Sequence, residues 1–164
     1  MTHYEDSGFT HLFMTKKTSE AYEAGCEDYV TPKRLANGLE EQITNLKRPS
    51  PKVVVAYAVG TGFEAEQIKK KFTHINVIGI DLSKEMLRIA QEKNRVDVST
   101  VGDITKEHSE VKDNTADIVV CCGGTEFNPG KLKSIADEMV RTARSNAIIA
   151  ITVRPPGQEA ARPG

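Results

Sequence analysis

The stretch Val53-Val-Val-Ala-Tyr-Ala-Val-Gly-Thr-Gly62, running on into Phe63-Glu-Ala-Glu-Gln-Ile68, decides the fold. Val53 to Tyr57 is a run of β-branched, aromatic and small apolar residues, the composition of a strand buried on both faces. Gly60-Thr61-Gly62 turns the backbone too tightly for a residue with a large Cβ substituent. A helical pattern starts near Phe63, so a strand's carboxyl end meets a helix amino terminus. Unpaired N–H groups and the positive end of a helix dipole gather at such a junction, which suits a ligand with negative or carboxylate character. The next apolar run, Asn76 to Asp81, ends on an acid that could accept two hydrogen bonds from a ribose diol.

Working outward, the 164 residues predict one domain, able to bury roughly two-thirds of its unfolded surface. Lys and Arg number 22 against 23 Asp and Glu, a formal charge of −1. No global field therefore draws a polyanion or an anionic membrane, and neither nucleic acid nor membrane gains support from charge. Cys26, Cys121 and Cys122 are odd in number and two are adjacent in an apolar run, poor material for a disulfide framework. That usage, the lack of an apolar stretch approaching ~20 residues and a polar amino terminus point to the cytosol.

Residues 1–30 read as an arm or lid: Met1 to Lys17 holds no clear period, and Thr18 to Asp28 suits a short helix. Thr31-Pro32 reads as an N-cap followed by proline at the first helical position, with Leu35, Leu39, Ile43 and Leu46 recurring behind it at helical spacing. After a linker at Asn45 to Pro51, strand and helix alternate. The first helix carries Phe63, Ile68 and Phe72 inward, and Lys69, Lys70 and Lys71 complement its dipole. Ser83 is placed to cap a helix bearing Met86, Leu87 and Ala90. Val96 to Val101, Asp117 to Cys122 and Ala147 to Val153 are the remaining strands, with a helical stripe at Leu132, Ile135, Ala136, Met139, Val140 and Ala143. Such alternation predicts an α/β fold over residues 31–154, a doubly wound and mainly parallel Rossmann-like sheet, followed by a flexible tail.

Four segments in order carry a family resemblance. Ala58-Val-Gly60-Thr-Gly62, Val77-Ile-Gly-Ile-Asp81-Leu-Ser-Lys-Glu-Met86-Leu, Val101-Gly-Asp103-Ile and Ala116-Asp-Ile-Val-Val-Cys-Cys together resemble a class I S-adenosylmethionine (SAM)-dependent methyltransferase. Within that family, Tyr29-Val-Thr-Pro-Lys-Arg-Leu35 and Val120-Cys-Cys-Gly-Gly124 resemble the Williams–Beuren-region methyltransferase-like group. Spacing separates this reading from a nicotinamide-dependent dehydrogenase. The dehydrogenase fingerprint G-x-G-x-x-G needs glycines at 58, 60 and 63, where the chain has Ala58, Gly60 and Phe63.

The resemblance implies a cofactor site for SAM, leaving S-adenosylhomocysteine (SAH) as product. Ala58, Gly60, Thr61 and Gly62 would lie against its methionine part, and Asp81 would bind the ribose hydroxyls. Leu82 and Met86 would flank the adenine, although a methionine on a helix stripe also suits a core. Asp103 would accept from the adenine amino group beside the Ile104 amide, or else stabilise its own turn. Cys121 would line the pocket through its backbone. Against the family's pattern, Ala56 stands where an acid is usual and Ala58 where the first glycine is usual, and Glu64 could reach back into that vacancy. The sequence past the fifth strand cannot supply the family's antiparallel hairpin, which leaves an edge where a second copy or another partner could add. His3, His11, His74 and His108 are scattered and read as surface residues, with no cluster at metal spacing. Asn128 and Pro129 read as opening the next helix. No catalytic residue is identified. The readings are a methyltransferase acting on a small molecule, a non-catalytic relative that binds SAM or SAH or serves as an interaction module, and another nucleotide-binding enzyme.

Overall fold

The computed structural model describes residues 15–26, 28–126, 128 and 130–153. Two helices come first, α1 (Lys16–Gly25) and α2 (Thr31–Asn45). Then β1 (Val53–Tyr57), α3 (Phe63–Lys71), β2 (Asn76–Asp81), α4 (Lys84–Glu92) and β3 (Val98–Val101) alternate. Finally come β4 (Ala116–Cys121), α5 (Leu132–Thr142) and β5 (Ala143–Ile151). The five strands form one sheet in the order β3-β2-β1-β4-β5, every neighbouring pair parallel. The order reverses at β1, which puts the carboxyl ends of β1 and β4 at the topological switch point where open α/β sheets take ligands.

Alternation along β1 sorts its side chains between two cores. Val54 and Ala56 face α2, α3 and α4 through Ala36, Leu39, Ile43, Ala65, Ile68, Leu87 and Ala90. Val55 and Tyr57 face α5 through Ile135 and Met139. Carboxylates fix the strand starts: Asp117 accepts from the Lys52 and Val53 amides at 2.8 and 2.9 Å, and Asp97 from the Val77 amide at 2.7 Å. Among the described residues, no helix is long and apolar enough to cross a membrane.

Several expectations shift in detail. Helix α2 starts one residue earlier than a Thr31 cap would place it, with Val30 as N-cap and no side-chain cap bond. Ser83 does cap α4, accepting from the Met86 amide at 3.2 Å. The α5 stripe splits, for Ile135 and Met139 are buried while Leu132 and Val140 are 48% and 62% exposed, so only half of it faces the sheet. β5 begins at Ala143, directly after α5. Lys131, not Asn128, is the α5 N-cap; Asn128 donates instead to the Gly124 carbonyl at 2.7 Å, and Pro129 lies outside the described residues. His108 is buried, its Nε2 2.9 Å from the Asp103 carbonyl oxygen and its ring against Gly102, so it is no surface residue. His3, His11 and the segment 1–14 also lie outside what the structure describes.

Candidate functional site

The tips of β1, β2, β3 and β4 meet in the loops at 58–62, 81–83, 102–104 and 121–124. Asp81 joins the first two. Its Oδ2 accepts from the Gly60 amide at 2.8 Å and its Oδ1 from the Ser83 amide at 2.9 Å. A carboxylate offers about four lone-pair sites, so each oxygen keeps room for another donor. Burial pushes the Asp81 carboxyl above its ordinary value, while the Ser83, Gly60 and Leu82 amides pull the other way. The Gly102 amide, donating to the Asp81 carbonyl at 2.9 Å, ties in the third loop.

The two loop glycines do different jobs. Both have positive φ, +54° at Gly60 and +85° at Gly62, as the turn demands. Among the described residues other than its chain neighbours, nothing lies within 4 Å of where a Gly60 side chain would stand, so the main chain is bare there. A Cβ at Gly62 would fall 2.9 Å from the Arg95 Cβ and 3.3 Å from the Ala90 Cβ. Gly62 thus serves the packing of the loop onto α4, and only Gly60 presents backbone to open space. Ala58 takes a left-handed φ of 53°, a conformation that costs a residue with a Cβ ~1–2 kcal/mol. Its methyl faces Gly124, where an added Cβ would come within 2.5 Å of it, 2.9 Å of the Cys121 Sγ and 3.1 Å of the Ile104 Cδ1. Ala58, Cys121 and Ile104 are therefore gathered around Gly124.

The remaining expected residues sit close by. Met86 is buried and Leu82 half-buried at the start of α4. Asp103 Oδ1 accepts from both the amide and the hydroxyl of Thr105, at 2.9 and 2.7 Å, so the turn-stabilising role is present. Burial pushes the Cys121 and Cys122 thiols up to about 12, which removes thiolate chemistry near neutral pH.

Glu64, Arg95, Tyr22 and Tyr29 complete the site, and of these the sequence flagged only Glu64. Glu64, in the first turn of α3, is 5% exposed, and its Oε1 has no hydrogen-bond partner among the described residues. Burial pushes its carboxyl up to about 8, and the neighbouring Asp81 adds to the rise. Arg95 clamps the glycine loop from outside. Its Nη1 donates to the Thr61 carbonyl and to both Glu23 oxygens, all at 2.9 Å, and its guanidinium lies 4.4 Å above the Phe63 ring. Through Glu23 it fastens α1 to the loop. Tyr29 reaches the tip of β4, its hydroxyl 3.9 Å from the Cys122 Sγ, and both Tyr22 and Tyr29 interact electrostatically with Glu64. A groove of ≈ 540 Å³ between α1 and α4 runs behind the clamp, but Arg88, Lys93 and Arg95 along its walls are already paired with Glu20, Glu23 and Glu92. The strand tips instead offer bare backbone, a carboxylate with free acceptor capacity and a buried acid with one unpartnered oxygen. No group of three or more His, Cys, Asp or Glu side chains is arranged for a metal among the described residues.

Comparison with known proteins places the chain in a family. A family model described as a methyltransferase domain matches residues 54–146. No curated protein sequence matches the chain. Among solved structures, the chain is similar to a SAM-dependent methyltransferase from Clostridium acetobutylicum, with a TM-score of 0.62 and 21% identity over 81% of this chain. It is similar also to the sugar N-methyltransferase KedS8 from Streptoalloteichus, with a TM-score of 0.66 and 18% identity over 85% of the chain. A third is SAM-bound CalS10, an amino pentose methyltransferase from Micromonospora echinaspora, with a TM-score of 0.63 and 20% identity over 80%. The chain spans 55% of the length of each of these three.

Proposed function

We propose, because the chain belongs to the methyltransferase-domain family, that it binds SAM across the tips of β1 to β4 and transfers the methyl group to a small-molecule acceptor. The observation that carries this reading is Asp81, which holds the Gly60 loop in place with one oxygen and the α4 start with the other, yet keeps acceptor capacity for a diol. Gly60 supplies the bare main chain for the amino-acid end, Leu82 and Met86 the apolar walls for the base, and Asp103 with the Ile104 amide its polar edge. The Glu64 Oε1, buried and unpartnered, is the acceptor a cationic ligand needs. The cofactor supplies a sulfonium-activated methyl group. The protein's residues bind, align and exclude water, because proximity rather than a base dominates such a displacement. Burial keeps the cysteines and Tyr22 neutral, so none of them competes as a nucleophile.

A second reading, a non-catalytic relative that binds SAM or SAH, is favoured by the Ala58 methyl, held at positive φ beside the Gly60 loop, and by the lack of an acid at Ala56. One lost charge-assisted hydrogen bond costs about 1.5–3 kcal/mol, or roughly ten- to a hundredfold in affinity. Isothermal titration with SAM, SAH and NAD tests the shared premise: micromolar binding of the first two and none of NAD is expected, and NAD binding alone refutes it. Transfer of labelled methyl then divides the two readings, with amino sugars as the first acceptors to assay because two structural neighbours are described as sugar N- and amino pentose methyltransferases. Binding without transfer to any acceptor selects the second reading.

A further inference from the structure

Glu64 is a buried acid whose Oε1 has no hydrogen-bond partner among the described residues. The dipole of α3 and its own backbone amide favour the anion, yet burial outweighs both and holds the empty-site carboxyl neutral, with an ionisation near 8. The groups that act on it come from every element around it. Asp81 on β2 repels its charge; Tyr22 on α1, Tyr29 beyond α1, and Cys121 and Cys122 at the tip of β4 are neutral neighbours. Arg95 is the cation acting on it, but its Nη1 is committed to Glu23 and the Thr61 carbonyl.

The structure assigns to Glu64 the exchange of a proton for the ligand's ammonium: the carboxyl is protonated in the empty site and ionises, losing its proton to solvent, when the ammonium of a zwitterionic amino-acid end becomes the partner of its unpartnered Oε1. This rests on the SAM-site reading above and adds to it that cofactor binding is linked to pH. The only covalent change is the O–H bond of the carboxyl, whose proton goes to buffer. The ammonium arrives already charged, so its contact with the Glu64 carboxylate is a neutral pair, while the ligand's own carboxylate keeps its charge. Asp81, anchored by two amides, keeps its role towards the sugar.

Two probes separate this claim from the one it rests on. SAH carries the nucleoside and the ammonium, whereas 5′-methylthioadenosine carries the nucleoside and thioether alone. Titration calorimetry at pH about 7 in buffers of different ionisation enthalpy should show release of about one proton per SAH and none per methylthioadenosine. SAH affinity should rise about tenfold per pH unit from about pH 6 to 7.5, while that of methylthioadenosine stays flat. Glu64→Gln should abolish the proton release and the slope, weaken SAH at least about tenfold at pH 8 and leave methylthioadenosine unaffected. SAH binding without proton release, or proton release that survives Glu64→Gln, overturns the role of Glu64 and leaves the nucleoside site standing. Failure of both ligands to bind the wild-type chain overturns the site itself and this inference with it.

Discussion

Truncating Arg95 should free α1 from the glycine loop before it unfolds the sheet. Arg95 is 6% exposed and makes three kinds of contact: a charge-assisted bond to the Thr61 carbonyl, the pair with Glu23, and the stack on Phe63. The bond to Thr61 is worth about 1.5–3 kcal/mol and the stack about 1, with about 1 more for the stem packed against Gly62. The Glu23 pair adds less than a buried pair would, because Lys93 also holds Glu23 at 2.9 Å and keeps it compensated. Arg95→Ala should therefore lower stability by about 3–5 kcal/mol in urea unfolding. Arg95→Lys, which keeps the charge but loses the planar fork, should cost roughly half as much. Hydrogen exchange locates the effect: amides of α1 should lose protection in Arg95→Ala while those of β1 and β4 keep theirs in native buffer. A loss below about 1 kcal/mol with α1 protection unchanged would refute the clamp.

Gly124→Ala should destabilise by about 1–3 kcal/mol, since its Cβ would come within 2.5 Å of the Ala58 methyl; Ala58→Gly should recover most of that, and thermal unfolding showing the two changes simply adding would deny the contact. The folded-state pKa of Glu64 is raised, so its contribution to stability is fully present below the unfolded value and is lost as pH rises through about 8. Urea unfolding between pH 5 and 8 should thus show a decline of about 3 kcal/mol from this group, to which Asp81 adds in the same direction, and Glu64→Gln should flatten it. Glu138, buried and joined to Arg141, the His108 amide and the Tyr57 hydroxyl, binds α5 to β1 and to the loop at 102–115. Glu138→Ala should cost about 3–5 kcal/mol by leaving that network unpaired, against about 1 for Tyr57→Phe, both read from denaturant midpoints.

The parts of the fold legible in the sequence are those whose signal is local. β1 and β2 carry their pattern within six residues or fewer, and their ends match the expected Val53–Tyr57 and Asn76–Asp81. Ser83 announces α4 because a cap acts three residues away. The α5 stripe misleads because apolar spacing marks a face but not how wide a face the fold covers; among the described residues α5 is the one helix on that side of the sheet, and Val140 is exposed. Arg95 reaches its partners Thr61 and Glu23 across 34 and 72 positions, and Tyr29 reaches Cys122 across 93, distances at which no spacing rule operates. His108 reads as a surface residue because nothing beside it shows that the ring fills the space over Gly102.

Electrostatics decides between ligands that would otherwise share this sheet. In dinucleotide sites the pyrophosphate lies on the helix amino terminus beyond the glycine loop, where amides and dipole meet an anion. Here that position holds Glu64, and Asp81 stands next to it and raises its ionisation. A pyrophosphate would bring two negative charges against the Asp81 carboxylate and beside a buried acid that offers it no positive charge, a juxtaposition that disfavours it. A sulfonium nucleoside whose far end carries both an ammonium and a carboxylate meets the same pair with one net positive charge. The loop that sequence spacing separates from the dehydrogenase pattern at positions 58 and 63 is thus separated from it again by charge. On the proposed reading, Gly60 lets a ligand approach bare main chain, while Glu64 selects for a positive charge beside it.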